Sequence, residues 1–249
     1  MQRYFVSDSN WDQANVYIIG DDVHHMTNVM RMKEGDTLIA VHPNLGAAIC
    51  CIKVWESSDR IKCEVIQWVE EKVELPIDVT IVQSIGKGDK LEQVVQKGTE
   101  LGACAFIPYQ ADRSVAKWDH KKVDKKLQRL RKIAKEASEQ SERVKIPTIH
   151  PPLTLSEINN LKSFDRKLMA FENEARYGRG QPLNVELSTI KDGQSAVIAF
   201  GPEGGFSEKE AENFQSYEFK PVRLGPRILR METAPLYFLS AISYEFEEK

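Results

Sequence analysis

SAVIAFGPEGGFSEKE, residues 195–210, joins a short apolar run to a loop with three glycines and a proline, and then to the opening of a helix. A strand that ends in a glycine-rich loop and re-enters a helix is the unit by which α/β domains bring backbone close to a ligand. Part of the stretch has a purely structural reading. Ser207 and Glu210 form an S-x-x-E capping box, which starts a helix whether or not anything binds. Glycines before such a cap suit a tight turn and suit a ligand contact equally well.

A second stretch tips the balance toward a ligand. LGPRILRMETAP, residues 224–235, also follows a strand-like run (KPVRL, 220–224), also contains Gly-Pro, and enters an apolar helix whose start is marked by Thr233 and Pro235. Neither loop is a phosphate cradle of known pattern: GPEGG matches neither G-x-x-x-x-G-K-[ST] nor G-x-G-x-x-G. Glu203 at its centre repels a polyphosphate, so the expected ligand is less anionic, with a positive centre and a purine.

Residues 1–72 show the rhythm of a small β-barrel. VYII (16–19), TLIAVH (37–42), AAICCIKVW (47–55) and IKCEVIQWV (61–69) are separated by turn signals, and HHMTNVMRM between the first two reads as a short helix carrying Arg31 outward. The charged, proline-containing EEKVELP (70–76) marks a boundary, so residues 73–249 form a second domain. There the pattern becomes strand then helix: IDVTIVQSI, KGDKLEQVVQKGTELG, ACAFIPY, KKVDKKLQRLRKIAKEASEQ, RKLMAFE and SAVIAF. This predicts an α/β domain with a largely parallel sheet, whose ligands bind beyond the carboxyl ends of the strands. FEN (171–173), GPEGGF and LGPRILRMETAP all fall at such ends.

Hydrophobic content of 41% and charged content of 29% describe an ordinary globular protein. No apolar run reaches the roughly 20 residues of a membrane helix and the N-terminus lacks a signal-peptide design, so a cytoplasmic location is expected. The four cysteines (50, 51, 63, 104) have no metal-ligand spacing, and neither metal nor redox work is expected of them. The net charge of −3 hides a contrast: residues 117–145 carry eleven Lys/Arg against five Asp/Glu, a local balance of +6.

SIGKGDKLEQVVQKGTELG, DRSVAKW, KEASEQSER, IAFGPEGGFSEKE and LGPRILRMETAPL, with RYFV and HHMTNVMRMKEGD in the first domain, together resemble the RsmE family. These are 16S rRNA (uracil-N3)-methyltransferases of the SPOUT superfamily, and the resemblance spans essentially the whole chain. It implies a PUA-like β-barrel that binds RNA, followed by a SPOUT domain with a C-terminal trefoil knot. It also implies S-adenosyl-L-methionine as cofactor, 16S rRNA within the 30S subunit as substrate, and a homodimer through the knotted domain. Helix 234–246, apolar nearly all round, suits burial at such an interface or within one subunit's core.

The resemblance assigns residues. Phe171, Glu172, Phe200, Gly201, Gly204, Gly205, Leu224, Gly225, Ile228, Leu229, Arg230, Thr233 and Ala234 would surround the cofactor. Arg230 is the candidate for polarising the base, and Glu232 and Glu203 are candidate proton acceptors, or else a helix cap and a loop-bracing ion-pair partner. Arg3, Arg31, Arg113, Lys125, Arg129, Lys132 and Arg143 are candidate RNA contacts. Two other readings stay open at this point: a non-catalytic RNA-binding protein, and a SPOUT methyltransferase acting on another nucleotide.

Overall fold

The computed structural model describes residues 1–161, 163–171 and 181–249. The chain divides into two compact units, residues 1–74 with 138–145, and residues 75–137 with 146–249. The boundary falls two residues beyond the expected one, and a segment from the middle of the chain goes with the first unit.

The first unit is a five-stranded sheet in the order β1-β3-β4-β5-β2. Its strands are β1 (Arg3–Phe5), β2 (Asn15–Ile19), β3 (Thr37–His42), β4 (Gly46–Ser57) and β5 (Arg60–Val69). β1 pairs parallel to β3 and the other pairs are antiparallel. Alternation along β4 and β5 turns Ala48, Cys50, Ile52, Ile61 and Cys63 into a core closed by Tyr4, Leu38 and Met26. Burial pushes the Cys50 and Cys63 thiols up to about 12, which leaves them inert core residues.

Two basic side chains expected on the RNA-facing surface are instead inside this unit. Arg3 is 4% exposed and forms a paired contact with Glu71 at 2.8 and 2.7 Å, while its Nη1 also donates to the carbonyl of Arg143 at 3.3 Å. Arg143 is 3% exposed and donates to Glu74 through Nε and Nη2, whose contact is 2.5 Å. Glu74 further accepts the backbone N–H groups of Val144 and Lys145. Both guanidinium groups are buried and paired with carboxylates, so neither presents a free cation at the surface, contrary to the expectation for an RNA contact. These bonds also explain why 138–145 belongs to the first unit.

The second unit is built on a seven-stranded, all-parallel sheet, ordered β10-β12-β9-β11-β6-β7-β8. Its strands are β6 (Asp78–Ser84), β7 (Ala105–Tyr109), β8 (Thr148–Ile149), β9 (Arg166–Ala170), β10 (Gln181–Pro182), β11 (Ser195–Phe200) and β12 (Lys220–Arg223). β11 is central, flanked by β6 and β9, and buried on both faces. Ala196, Ile198 and Phe200 face one apolar cluster, and Val197 and Ala199 the other.

Helices cover both faces. In addition to α1 (Asp21–His24) of the first unit, they are α2 (Lys90–Glu100), α3 (Val123–Gln140), α4 (Leu155–Leu161), α5 (Leu183–Leu187), α6 (Glu208–Ser216) and α7 (Thr233–Ser243). α7 places Phe238, Leu239 and Ile242 in the core and leaves Tyr237 exposed, with Tyr244 exposed just beyond its end. α3 buries Leu127, Leu130 and Ala134 and exposes Lys125, Arg129, Arg131 and Lys132. Among the described residues no helix is long and apolar enough to cross a membrane.

Removing one partner of a buried ion pair leaves the other charge uncompensated. Glu74→Ala is therefore expected to lower stability by about 3 kcal/mol, read as a shift in the urea midpoint, whereas Lys125→Ala on exposed α3 leaves the midpoint in place.

Candidate active site

The loops that follow β9, β11 and β12 leave the carboxyl ends of three adjacent strands and line one cavity of roughly 350 Å³. The order of those strands places β12 and β11 on either side of β9, so loops distant in sequence meet at one edge of the sheet.

The loop after β11 turns back on itself tightly. A Cβ at Gly201 would lie 3.0 Å from the Phe206 backbone nitrogen and 3.2 Å from the Gly205 carbonyl carbon, so any larger residue would push the backbone of the turn aside. The loop is then held at its far end by the capping box: Ser207 Oγ accepts the Glu210 N–H at 3.1 Å and Glu210 Oε2 accepts the Ser207 N–H at 2.9 Å. The turn after β7 braces it from the side. Ser207 Oγ donates to Asp112 Oδ2 at 2.9 Å, Asp112 N donates to Glu210 Oε1 at 2.8 Å, and Arg113 Nη1 donates to the carbonyls of Gly204 and Phe206 at 3.1 and 3.3 Å. Arg113, expected to meet RNA, therefore spends donors on the glycine loop.

Of the residues expected around a cofactor, Phe171, Phe200, Gly201, Gly205, Leu224, Ile228, Leu229, Arg230 and Ala234 line the cavity. Gly204, Gly225 and Thr233 are not among the lining residues, and Glu172 lies outside the described residues. Glu203, Arg230 and Glu232, the three candidates for chemistry, all line it.

The sequence reading missed Lys90, Arg227 and Met231, which also line the cavity. Lys90 comes from the first turn of α2, outside all three loops, and its ammonium contacts Glu203 Oε1 at 2.9 Å and stands 3.8 Å from Glu232 Oε2. The segment before it is a floor for both glycine loops. Lys87 N donates to Glu203 Oε1 at 3.3 Å, and at Gly86 an added Cβ would lie 2.5 Å from Met231 Sδ. In sequence these residues lie at or before the start of a helical stretch or within the LGPRILRMETAP loop, and nothing in their pattern marks them as cavity residues.

Burial by itself would raise the Glu203 carboxyl, but the Lys90 ammonium and the surrounding backbone N–H groups, Lys87 included, hold it below the usual glutamate range. Glu203 is thus an ion-pair partner that braces the loop. Among the described residues no cluster of His, Cys, Asp or Glu could hold a metal ion.

An all-parallel sheet with a cavity at the carboxyl ends of strands β9, β11 and β12 is the architecture of a ligand-binding α/β domain, and the sequence comparisons place that domain among RNA methyltransferases. Residues 73–243 match the RNA methyltransferase domain family, and residues 18–66 match the RNA methyltransferase PUA domain. The chain is 45% identical to the ribosomal RNA small subunit methyltransferase E of Bacillus subtilis, covering 99% of this chain and 98% of the relative. Identity to the protein of that name from Synechocystis is 30%, covering 97% and 77%. The crystal structure of the Neisseria gonorrhoeae protein of that name, bound to S-adenosyl methionine, superposes with a TM-score of 0.84 at 27% identity, covering 99% and 98% of the two chains. The chain belongs to the ribosomal RNA small subunit methyltransferase E family.

A carboxyl held below its unfolded value contributes stability that is present above about pH 4.3 and lost as pH falls through the lower folded-state value. Lys90→Met removes that contribution. In urea unfolding at a series of pH values, the gap between wild type and Lys90→Met should be widest near neutrality and close on acidification through that window.

Proposed function

We propose that this protein transfers a methyl group from S-adenosyl-L-methionine to N3 of a uracil in 16S rRNA. The observation that carries the reading is the convergence of the GPEGGF and LGPRILRMET loops, with Phe171, on one cavity. The residues fit the cofactor. Ile228, Leu229, Leu224 and Phe171 supply apolar walls for an adenine, and Gly201 and Gly205 bring main chain to the cavity wall without a side chain. Glu203 and Glu232 supply carboxylates suited to a ligand with cationic centres. The Neisseria relative, solved with S-adenosyl methionine bound, supports the same assignment.

When bound, S-adenosyl-L-methionine supplies an electrophilic methyl group. The protein's own task is to make uracil N3 a nucleophile, which requires that its proton leave and that the resulting negative charge be stabilised. Arg230 is exposed at the cavity lip and has no side-chain partner among the described residues, so its guanidinium is free to donate to a uracil carbonyl oxygen. Fixing base and cofactor in one cleft supplies the further gain of proximity.

RNA would be held by the exposed face of α3 and by the first unit. On α3 the charges are unequal: Arg129 is committed to Glu92 at 2.6 Å and Lys132 approaches Glu136 at 3.8 Å, whereas Lys125 and Arg131 have no ion pair among the described residues. Arg31, exposed and with positive φ just past the α1 turn, is free in the same sense. The assembled 30S subunit as substrate, a homodimer in which exposed Tyr237 and Tyr244 are covered, a trefoil knot in the C-terminal segment and a cytoplasmic location complete the reading.

The test is incubation with methyl-labelled S-adenosyl-L-methionine and small ribosomal subunits lacking the modification, followed by mass spectrometry of nucleosides. Labelled 3-methyluridine is expected, and cofactor binding without any labelled nucleoside would overturn the reading. Arg230→Ala should bind cofactor as wild type does in calorimetry while losing turnover by about 10²–10³-fold, the effect of deleting one stabilising donor. Lys125→Glu with Arg131→Glu should weaken RNA binding and flatten its dependence on salt; an unchanged salt slope would remove α3 from the interface.

A further inference from the structure

At one end of the five-stranded sheet, aromatic rings from three separate segments meet. Trp11 stacks on Trp68, near the end of β5, with ring centroids 5.4 Å apart and planes 22° apart. His42, at the end of β3, stands edge-on to both at 5.2 and 6.2 Å. The rings are held from behind: Trp11 Nε1 donates to the Val6 carbonyl at 3.1 Å, and Trp68 lies opposite Ala48 of β4. His42 is the hub of the group. Its Nδ1 accepts the Asn44 and Leu45 N–H groups at 3.0 and 3.2 Å, so Nε2 carries the proton and donates to Asp8 Oδ1 at 2.8 Å.

Only part of this group serves the core. His42 is 5% exposed, yet Trp68 is 43% exposed, and so is 66% of Leu45 in the loop that His42 fixes. A large indole left in water on a rigid frame with a polar rim is the mark of an interaction surface. Elsewhere the chain covers partly exposed aromatic faces with its own cations, Arg60 over Tyr17 at 4.2 Å and Lys126 over Trp118 at 5.0 Å. Among the described residues no cation stands over Trp68.

Charge decides what the surface takes. The segments that carry it, residues 8–12, 42–46 and 66–71, contain four carboxylates (Asp8, Asp12, Glu70 and Glu71) and no lysine or arginine. Glu71 is paired with Arg3 and Asp12 accepts the Ala14 and Asn15 N–H groups, whereas Asp8 is bound by His42 through one oxygen and its side chain is 74% exposed. A nucleobase can stack on an indole, but single-strand sites place cations alongside for the phosphates, and this surface has none of its own. A guanidinium fits both features, because it is planar, stacks on an indole face and pairs with a carboxylate. We infer that Trp68, backed by Trp11 and flanked by the His42-held Asp8, docks an arginine side chain of a basic protein segment. The surface belongs to the first unit, and the inference does not depend on the methyl-transfer reading.

The probe is an end-blocked Gly-Arg-Gly-Arg-Gly peptide, titrated into the full-length protein while NMR follows the indole N–H signals of Trp11, Trp55, Trp68 and Trp118. The Trp68 and Trp11 signals should move and saturate. Those of Trp55, whose Nε1 donates to Thr27, and of Trp118, under Lys126, should stay in place and report an intact fold in every variant. Trp68→Ala, followed through Trp11, should lower peptide affinity about tenfold. Asp8→Asn, which keeps an acceptor for His42, should lower it about threefold, and the lysine version of the peptide should bind more weakly than the arginine one. Four results overturn the inference. A hexauridylate that moves Trp68 more than the peptide does makes the surface a nucleobase platform, and a Trp68 signal that shifts with protein concentration alone makes it a contact with a second copy. Peptide binding that both variants leave unchanged reduces it to general attraction between charges, and no movement up to about 5 mM peptide means that nothing docks there.

Discussion

The turn that leaves β11 at Gly201 packs backbone against backbone so tightly that a side chain there would displace it, and much of the second unit is arranged around that constraint. The chain must emerge from the central strand of the sheet, reverse within a few residues and enter α6. Each neighbour contributes to holding the reversal. The capping box closes its far end, Asp112 accepts the Ser207 hydroxyl, Arg113 grips its carbonyls, and Lys87 and Lys90 take its acidic tip. A loop fixed by so many polar contacts costs little further ordering when a ligand arrives, and this preorganisation is what a binding site needs.

Much of the architecture can be read from the chain because local pattern and global fold agree. TLIAVH and SAVIAF coincide with β3 and β11 residue for residue, and the S-x-x-E signal marks the start of α6 where the capping box is found. Short elements without periodicity, such as β8, α4 and α5, left no signal; two to seven residues are too few for a period to emerge.

Charge was the less legible property. A basic residue in a sequence announces a cation and says nothing of its partner. Arg3 and Arg143 look like surface contacts, yet carboxylates more than 65 residues away draw them inside. Arg113 looks like an RNA ligand and supports a loop, while Lys90, which the sequence pattern does not single out, joins the two acidic residues of the cavity. The glycine and proline positions were readable because backbone geometry is a local demand; the ionic ones were not, because their meaning is set by topology.

The bond between Lys90 and Glu203 spans 113 residues of chain, and β6, which leads toward Lys90, pairs with β11, which leads to Glu203. Parallel pairings of such sequence separation form slowly, since loop closure precedes any compensating contact. No fragment ending before α7 contains the whole cavity, because Ala234, within that helix, is one of its lining residues. The pocket therefore comes into being only once every segment from Lys90 to Ala234 is available. Ligand retention by this protein is accordingly a report on completed folding of the second unit, not on any part of it.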